Sequence, residues 1–191
     1  MKRIVFTGAL ALAFLGGPAA ANEFADQLTA LASTDISKIV SDPQVIAAIK
    51  AQNAETSGYD QANIDALDKQ WRAEIDKSNK PLIDKTLGNA LSGHLHEIKE
   101  RGGGLYTEIF VMDAKGLNVG QSDITSDYWQ GDEAKWQETF LIGKGATHIG
   151  DVELDESTQS YQSQLSVAIT DPDSGEVIGA ATFGVNIELL P

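Results

Sequence analysis

The sequence predicts an α+β domain in which long N-terminal helices pack on an antiparallel sheet, and three observations carry that prediction. Apolar residues recur at helical spacing from Glu23 to Arg101, the triplet Gly102-Gly103-Gly104 ends that pattern, and beyond it apolar and polar residues alternate with the period of strands. Three successive glycines lose too much chain entropy to be held helical, so the triplet divides a helical half from a sheet half.

In the helical half, Phe24, Leu28, Leu31, Ile36, Ile39, Val40, Ile46 and Ile49 form the first stripe, interrupted at Ser41-Asp42-Pro43. Asp42 can cap a new helix and Pro43 suits its first position, where a missing N–H leaves no bond unmade, so a kinked or restarted helix is expected there. Gly58 marks a loop. After Asn63, the residues Ile64, Leu67, Trp71 and Ile75 share one face of a second helix. Lys80-Pro81 breaks the pattern again, and Leu82, Ile83, Leu87, Leu91, Leu95 and Ile98 continue a stripe to Arg101.

The sheet half opens with a strand over Tyr106–Met112, a turn Asp113-Ala114-Lys115-Gly116 and a returning strand over Leu117–Ser122. Three more strands are predicted at about 147–154, 161–170 and 177–189. Asp171-Pro172-Asp173-Ser174-Gly175 joins the last two; its Asp-x-Asp-x-Gly spacing suits calcium, but the later ligands of such a loop do not follow, and a type I turn with a left-handed glycine accounts for the same letters. Alternation puts Leu165, Val167 and Ile169 on one face and Gln164, Ser166 and Ala168 on the other. In the last strand Phe183, Val185 and Ile187 face the helices, while Thr182, Gly184 and Asn186 face away.

Between the second and third strands, Asp127, Tyr128, Trp129, Asp132, Glu133 and Trp136 fall within ten positions, so two of the three tryptophans sit beside three carboxylates. The run Phe110–Gly116, with Gln121-Ser122-Asp123 and Asp127–Glu133 after it, resembles the single-Cache (PDC-type) family of extracytoplasmic sensor domains: a strand, a "D-x-x-G" turn, a second strand and a loop that caps a pocket. The closing hairpin Val167–Phe183 adds to the likeness, which spans about residues 23–189. What the resemblance implies is a PAS-like fold, a long helix before a curved antiparallel sheet with a small molecule seated on it.

Met1-Lys2-Arg3, an apolar run from Ile4 to Leu15 and Ala19-Ala20-Ala21 have the three parts of a secretory leader, so residues 1–21 are expected to be removed and residues 22–191 to form one sensor domain. Retention as an anchor is the alternative, although the apolar run is shorter than the ~20 residues that span a bilayer. Cleavage would remove Lys2 and Arg3 and no acid, taking the formal charge from −14 to −16. Such a surface disfavours nucleic acid and anionic membranes. The chain has no cysteine, which excludes disulfides, thiol nucleophiles and cysteine-held zinc.

These readings converge on an exported, periplasmic or secreted module that binds a small molecule and presents its loaded state to a membrane receptor or transporter. Tyr128, Trp129 and Trp136 are the expected walls of the site, Asp127 and Asp132 its acceptors, and Gln164, Ser166 and Thr182 its floor. Trp136 has a second reading, as a core residue of a short helix over residues 131–140. After cleavage the arginines are Arg72 and Arg101, both in the helical half, so no bidentate clamp for a carboxylate is evident on the sheet. Carboxylates beside aromatic walls suit an amine or quaternary ammonium. His94 and His96 point to different sides of a helix, and no serine-hydrolase elbow, zinc-binding His-Glu-x-x-His or phosphate loop occurs, so neither an enzyme nor a cofactor is expected. The competing class is a ligand-free interaction module that forms a homodimer through residues 23–49.

Overall fold

A computed structural model describes residues 22–155 and 159–191, so the expected leader over 1–21 lies outside the described residues. The expected α+β arrangement is present, helices against one five-stranded antiparallel sheet.

Helix α1 (Ala25–Leu31) passes through a π turn, Ala32–Ile36, into α2 (Ser37–Val40). The wide turn absorbs the five-residue step from Leu31 to Ile36 and keeps both side chains buried. Hydroxyls of Ser33, Thr34 and Ser37 bond back to carbonyls one turn earlier, at 2.9, 2.9 and 3.1 Å, a contact that loosens helices. Helix α3 (Pro43–Thr56) starts as predicted, with the Asp42 carboxylate accepting from the Gln44 N–H at 2.7 Å. Helix α4 (Gln61–Glu74) opens ahead of Asn63 because Asp60 and Asn63 cap each other reciprocally. The single stripe read to Arg101 is two helices, α5 (Pro81–Leu87) and α6 (Ala90–Arg101), since the Asn89 side chain accepts from the Ser92 N–H at 2.8 Å and starts a new helix. Gly103 and Gly104, at φ +59° and +94°, close it as the triplet predicts.

The strands are β1 (Tyr106–Met112), β2 (Asn118–Gln121), β3 (Thr147–Asp155), β4 (Ser160–Thr170) and β5 (Val177–Asn186), with a one-turn helix α7 (Ala134–Gln137) before β3. Their order is β2-β1-β5-β4-β3, and every pairing is antiparallel. β5 stops short of the predicted residue 189: the Asn186 side chain accepts from the Glu188 N–H at 3.0 Å and caps a 3-10 turn, Ile187–Leu189, so Ile187 leaves the strand instead of facing the helices. At the β4–β5 turn Gly175 takes φ +75°. There Asp171 accepts from Lys50 Nζ at 2.9 Å and the Ser174 hydroxyl at 3.1 Å; the lysine bond is the main cause that holds its pKa below the ordinary value.

One face of the sheet makes the main core. The register aligns Ile109, Phe183, Leu165 and Ile149 across four strands, and these pack with Leu28, Ile49 and Leu95 from the helices. A smaller cluster joins α4 and α5 to Leu117 and Tyr128. Asn22 fastens the start of the described chain to the β3–β4 hairpin, its amide donating to the Gly150 carbonyl at 2.8 Å and the Ser163 hydroxyl at 3.0 Å.

Candidate ligand site

The face turned away from the main core is built differently. Strand register sets Gln121, Phe110, Thr182, Ser166 and His148 in one row across the sheet, flanked by a row of Glu108, Gly184 and Gln164. Ser166 and Thr182 are fully buried and bond hydroxyl to hydroxyl at 2.9 Å.

Residues 122–140 close this face off, the stretch through Trp129 along its β2 edge and the stretch around α7 lying over it. Trp136 and Phe140 stack at 4.8 Å and cover Phe110, Met112 and Ala180. The Trp136 indole N–H donates to the Asp113 carbonyl at 3.1 Å, tying α7 to the β1–β2 turn. Trp136 is thus a core residue of a short helix, the second of its two readings, and it lies over the polar face. Lys135 lays its ammonium 5.5 Å from the centre of the Phe110 ring and 2.8 Å from Glu133. His148 meets Glu138 at 2.9 Å.

At the β2 end of the roof, polar side chains are sealed from water. Asn118 Nδ2 donates to the Thr125 hydroxyl at 3.0 Å and the Asp127 carbonyl at 3.2 Å, and the Thr125 hydroxyl lies 3.5 Å from Gln121 Oε1. Gln130 Nε2 donates to the Asp127 carboxylate and carbonyl. Within this network Asn118 Oδ1, Gln121 Nε2 and Gln130 Oε1 are buried with no hydrogen-bond partner among the described residues. Buried amides are ordinarily bonded, and an unmade bond costs about 1–3 kcal/mol. Burial raises the Asp127 pKa, with nearby Glu133 adding to the effect. The Gln130 bond and Arg72, whose Nη2 is 3.2 Å away, oppose it.

The other end is organised by Gly184. A Cβ there would lie 2.2 Å from the Thr107 hydroxyl oxygen, 2.7 Å from Gln162 Oε1 and 2.8 Å from Glu108 Cγ, so the bare backbone lets three polar side chains converge. Thr107 donates to Gln162, and Gln164 Nε2 donates to Glu108 at 2.9 Å. Burial pushes the Glu108 pKa up; the Gln164 bond and the Lys135 charge pull the other way. A cleft of about 50 Å³ opens beside Gln162 and Gln164, against Gly150, Asp151 and Glu153. A roomier groove of about 270 Å³ lies between α3 and α6, but its Gln52 and Asn89 side chains already bond, to Asp113 and the Val119 carbonyl. We place the candidate site where unmade bonds are, beneath the roof.

The structure divides the residues expected to line one pocket. Gln164, Ser166, Thr182 and Trp136 share the roofed face, and Asp127 reaches its β2 end. Tyr128 and Trp129 do not fold over the sheet as a lid. Their segment runs along the outer edge of β2, with a Leu117–Trp129 bridge, Asn118 N donating to the Tyr128 carbonyl at 3.0 Å and Gln130 N to the Gly116 carbonyl at 2.7 Å. Tyr128 stacks on Trp71 of α4 at 5.3 Å, and the Trp129 indole N–H donates to the Lys115 carbonyl at 2.8 Å. Asp68 holds both backbone N–H groups, at 2.9 and 3.1 Å. Asp132 is exposed. Sequence reading passed over Glu108, Phe110, Asn118, Gln121, Gln130 and Lys135 as site residues; the available signal was an acid and two amides inside otherwise apolar strands.

No protein-family model and no curated protein sequence matches the chain. Among solved structures it is similar to the sensor domain of the Vibrio cholerae histidine kinase DctB, at 14% identity and TM-score 0.37, with 86% of this chain and 55% of that one covered. It is also similar to the sensory domain of the Campylobacter jejuni chemoreceptor Tlp3 with isoleucine bound, at 16% identity and TM-score 0.40, covering 86% and 64%. A third is the Escherichia coli DcuS sensor domain, at 14% and 0.35, covering 68% and 90%. The chain thus spans 55% and 64% of the first two. All three are sensor or sensory domains. At this level of similarity the chain's own side chains have to carry the functional reading.

Proposed function

We propose that this protein is an exported sensor module that takes a small molecule between the polar face of its sheet and the roof of residues 122–140. The observation that carries the reading is the set of buried amide atoms of Asn118, Gln121 and Gln130 that have no partner among the described residues, which offers two acceptors and one donor beside the Asp127 carboxyl group. A ligand able to complete those bonds recovers what their burial loses. Acceptors outnumber donors, and Lys135 and Arg72 are already engaged with acids, so the set suits a small amine or other hydrogen-bond donor better than a carboxylate. Because α7 rests on Phe110 and Met112, entry requires the roof to shift. That movement, passed to the β1–β2 turn through Trp136, is a signal a membrane receptor or transporter can read.

The anchoring of Asn22 to the β3–β4 hairpin supports a mature chain that begins there. Mass spectrometry of an extracytoplasmic fraction tests it: an N-terminus at Asn22 is expected, and a retained Met1 in firmly membrane-bound protein contradicts a free module. For binding, protein unfolded and refolded to strip any carried ligand is screened by thermal shift against amines, amino acids, organic acids and nucleobases. A true ligand at a hundredfold excess over Kd stabilises by about 2.7 kcal/mol, and so produces a saturable rise in melting temperature. Absence of any saturable shift across the panel removes the reading.

A further inference from the structure

We infer that the ring of Phe110 is a seat for an organic ammonium group and that Lys135 of the roof competes for it. The inference rests on the ligand site proposed above and names the chemistry of one part of it. Lys135 carries a flexible four-carbon stem that ordinarily extends into water. Here its side chain is only 14% exposed, and its ammonium lies 5.5 Å from the centre of a ring that is itself 2% exposed. Aromatic faces attract cations most where water is excluded. Two acids sharpen the seat: Glu133 stands 2.8 Å from the ammonium, and the half-buried Glu108, two positions from Phe110 on the same face, feels its charge.

The geometry is that of a cation site occupied by the protein's own side chain. Lys135 belongs to the one-turn helix that must move for a ligand to enter, so its ammonium leaves the ring when the roof lifts. The groups then left on the sheet around Phe110 are the acid Glu108 and the amide Gln164, since Glu133 caps α7 and lifts with it. An incoming ammonium matches them, whereas a carboxylate meets like charge. Lys135 is in this account a specificity residue that holds affinity down, because every binding event must first displace it.

The rival role for Lys135 is to grip an anionic ligand, and the two roles predict opposite results. Refolded protein is titrated separately with tetramethylammonium and with acetate, as wild type, Lys135→Met, Lys135→Gln and the double variant Lys135→Met/Phe110→Leu. If Lys135 holds the seat about nine-tenths of the time, both single variants bind tetramethylammonium about tenfold more tightly than wild type. The double variant loses that gain, and acetate binds to none of them. Unchanged or weaker tetramethylammonium binding in both single variants overturns the seat, as does acetate binding that depends on Lys135. The broader reading is judged by the metabolite screen: a ligand found there, with no gain in the lysine variants, removes the ammonium seat and leaves the binding module standing.

Discussion

Leu165 and Ser166 are neighbours in β4 and both are fully buried, yet they meet opposite surroundings. Leu165 lies between Ile149 and Phe183 and under the helices. Ser166 faces the Thr182 hydroxyl and the roof. The same contrast separates Ile109 from Glu108 and Phe183 from Gly184. One side of the sheet is filled with apolar volume whose burial drives folding at about 25 cal/mol per Å². The other buries Gln121, Ser166 and Thr182 and half-buries Glu108 and Gln164, an arrangement that weakens a fold unless each group is satisfied.

The largest expected effect lies on the apolar side. Leu165→Ala should destabilise by about 2–5 kcal/mol, read from urea unfolding, while Ser166→Ala loses one hydrogen bond and about 1 kcal/mol. Similar losses at the two positions would erase the distinction between the faces.

A smaller effect, visible only against pH, belongs to Glu108. Its folded pKa is raised by burial, so its contribution is fully present below the ordinary value of 4.5 and is lost as pH rises through the raised one. Glu108→Gln should therefore gain on wild type as pH climbs above about 4.5 and then level off; parallel stability curves between pH 4 and 8 would show that the carboxyl group is not strained. Asp171, whose pKa is lowered by its Lys50 bond, acts with the opposite sign. Its contribution is held at neutral pH and lost as pH falls through its lowered value.

Least of all is expected at Asp132, an exposed acid of the roof segment. Asp132→Asn should leave the melting temperature within about 1 °C and any ligand affinity within about twofold. A marked loss of affinity would bring that side chain into the site after all.

The division of faces was legible because strand alternation has a period of two and the strands are long enough to show it. Gln164, Ser166 and Thr182 against Leu165 and Phe183 needed no tertiary information. The helical half was legible in its stripes and in Asp42-Pro43, but the Asn89 break was hidden because apolar spacing continues across it. Tyr128 and Trp129 were misplaced because composition says that a loop is aromatic without saying which surface it meets. Their position is set by Asp68, sixty residues away, which holds their backbone against α4. The amide cluster was hidden for a related reason: Asn118 and Gln121 do not alternate in step, and the irregular register between Val111 and Met112 puts both on the roofed face.

The central claim, that the roofed face gives up stability in order to bind, is tested most directly at Gln121, 1% exposed and with Nε2 unpartnered among the described residues. Gln121→Met keeps the volume and removes the amide. The measurement is a melt of the variant with and without a ligand found by the screen. The account predicts that the ligand-free variant is more stable by about 1 kcal/mol, a rise of about 2–4 °C, and that the ligand's stabilising shift shrinks or disappears. A variant that melts lower than wild type and still responds fully to ligand would contradict it.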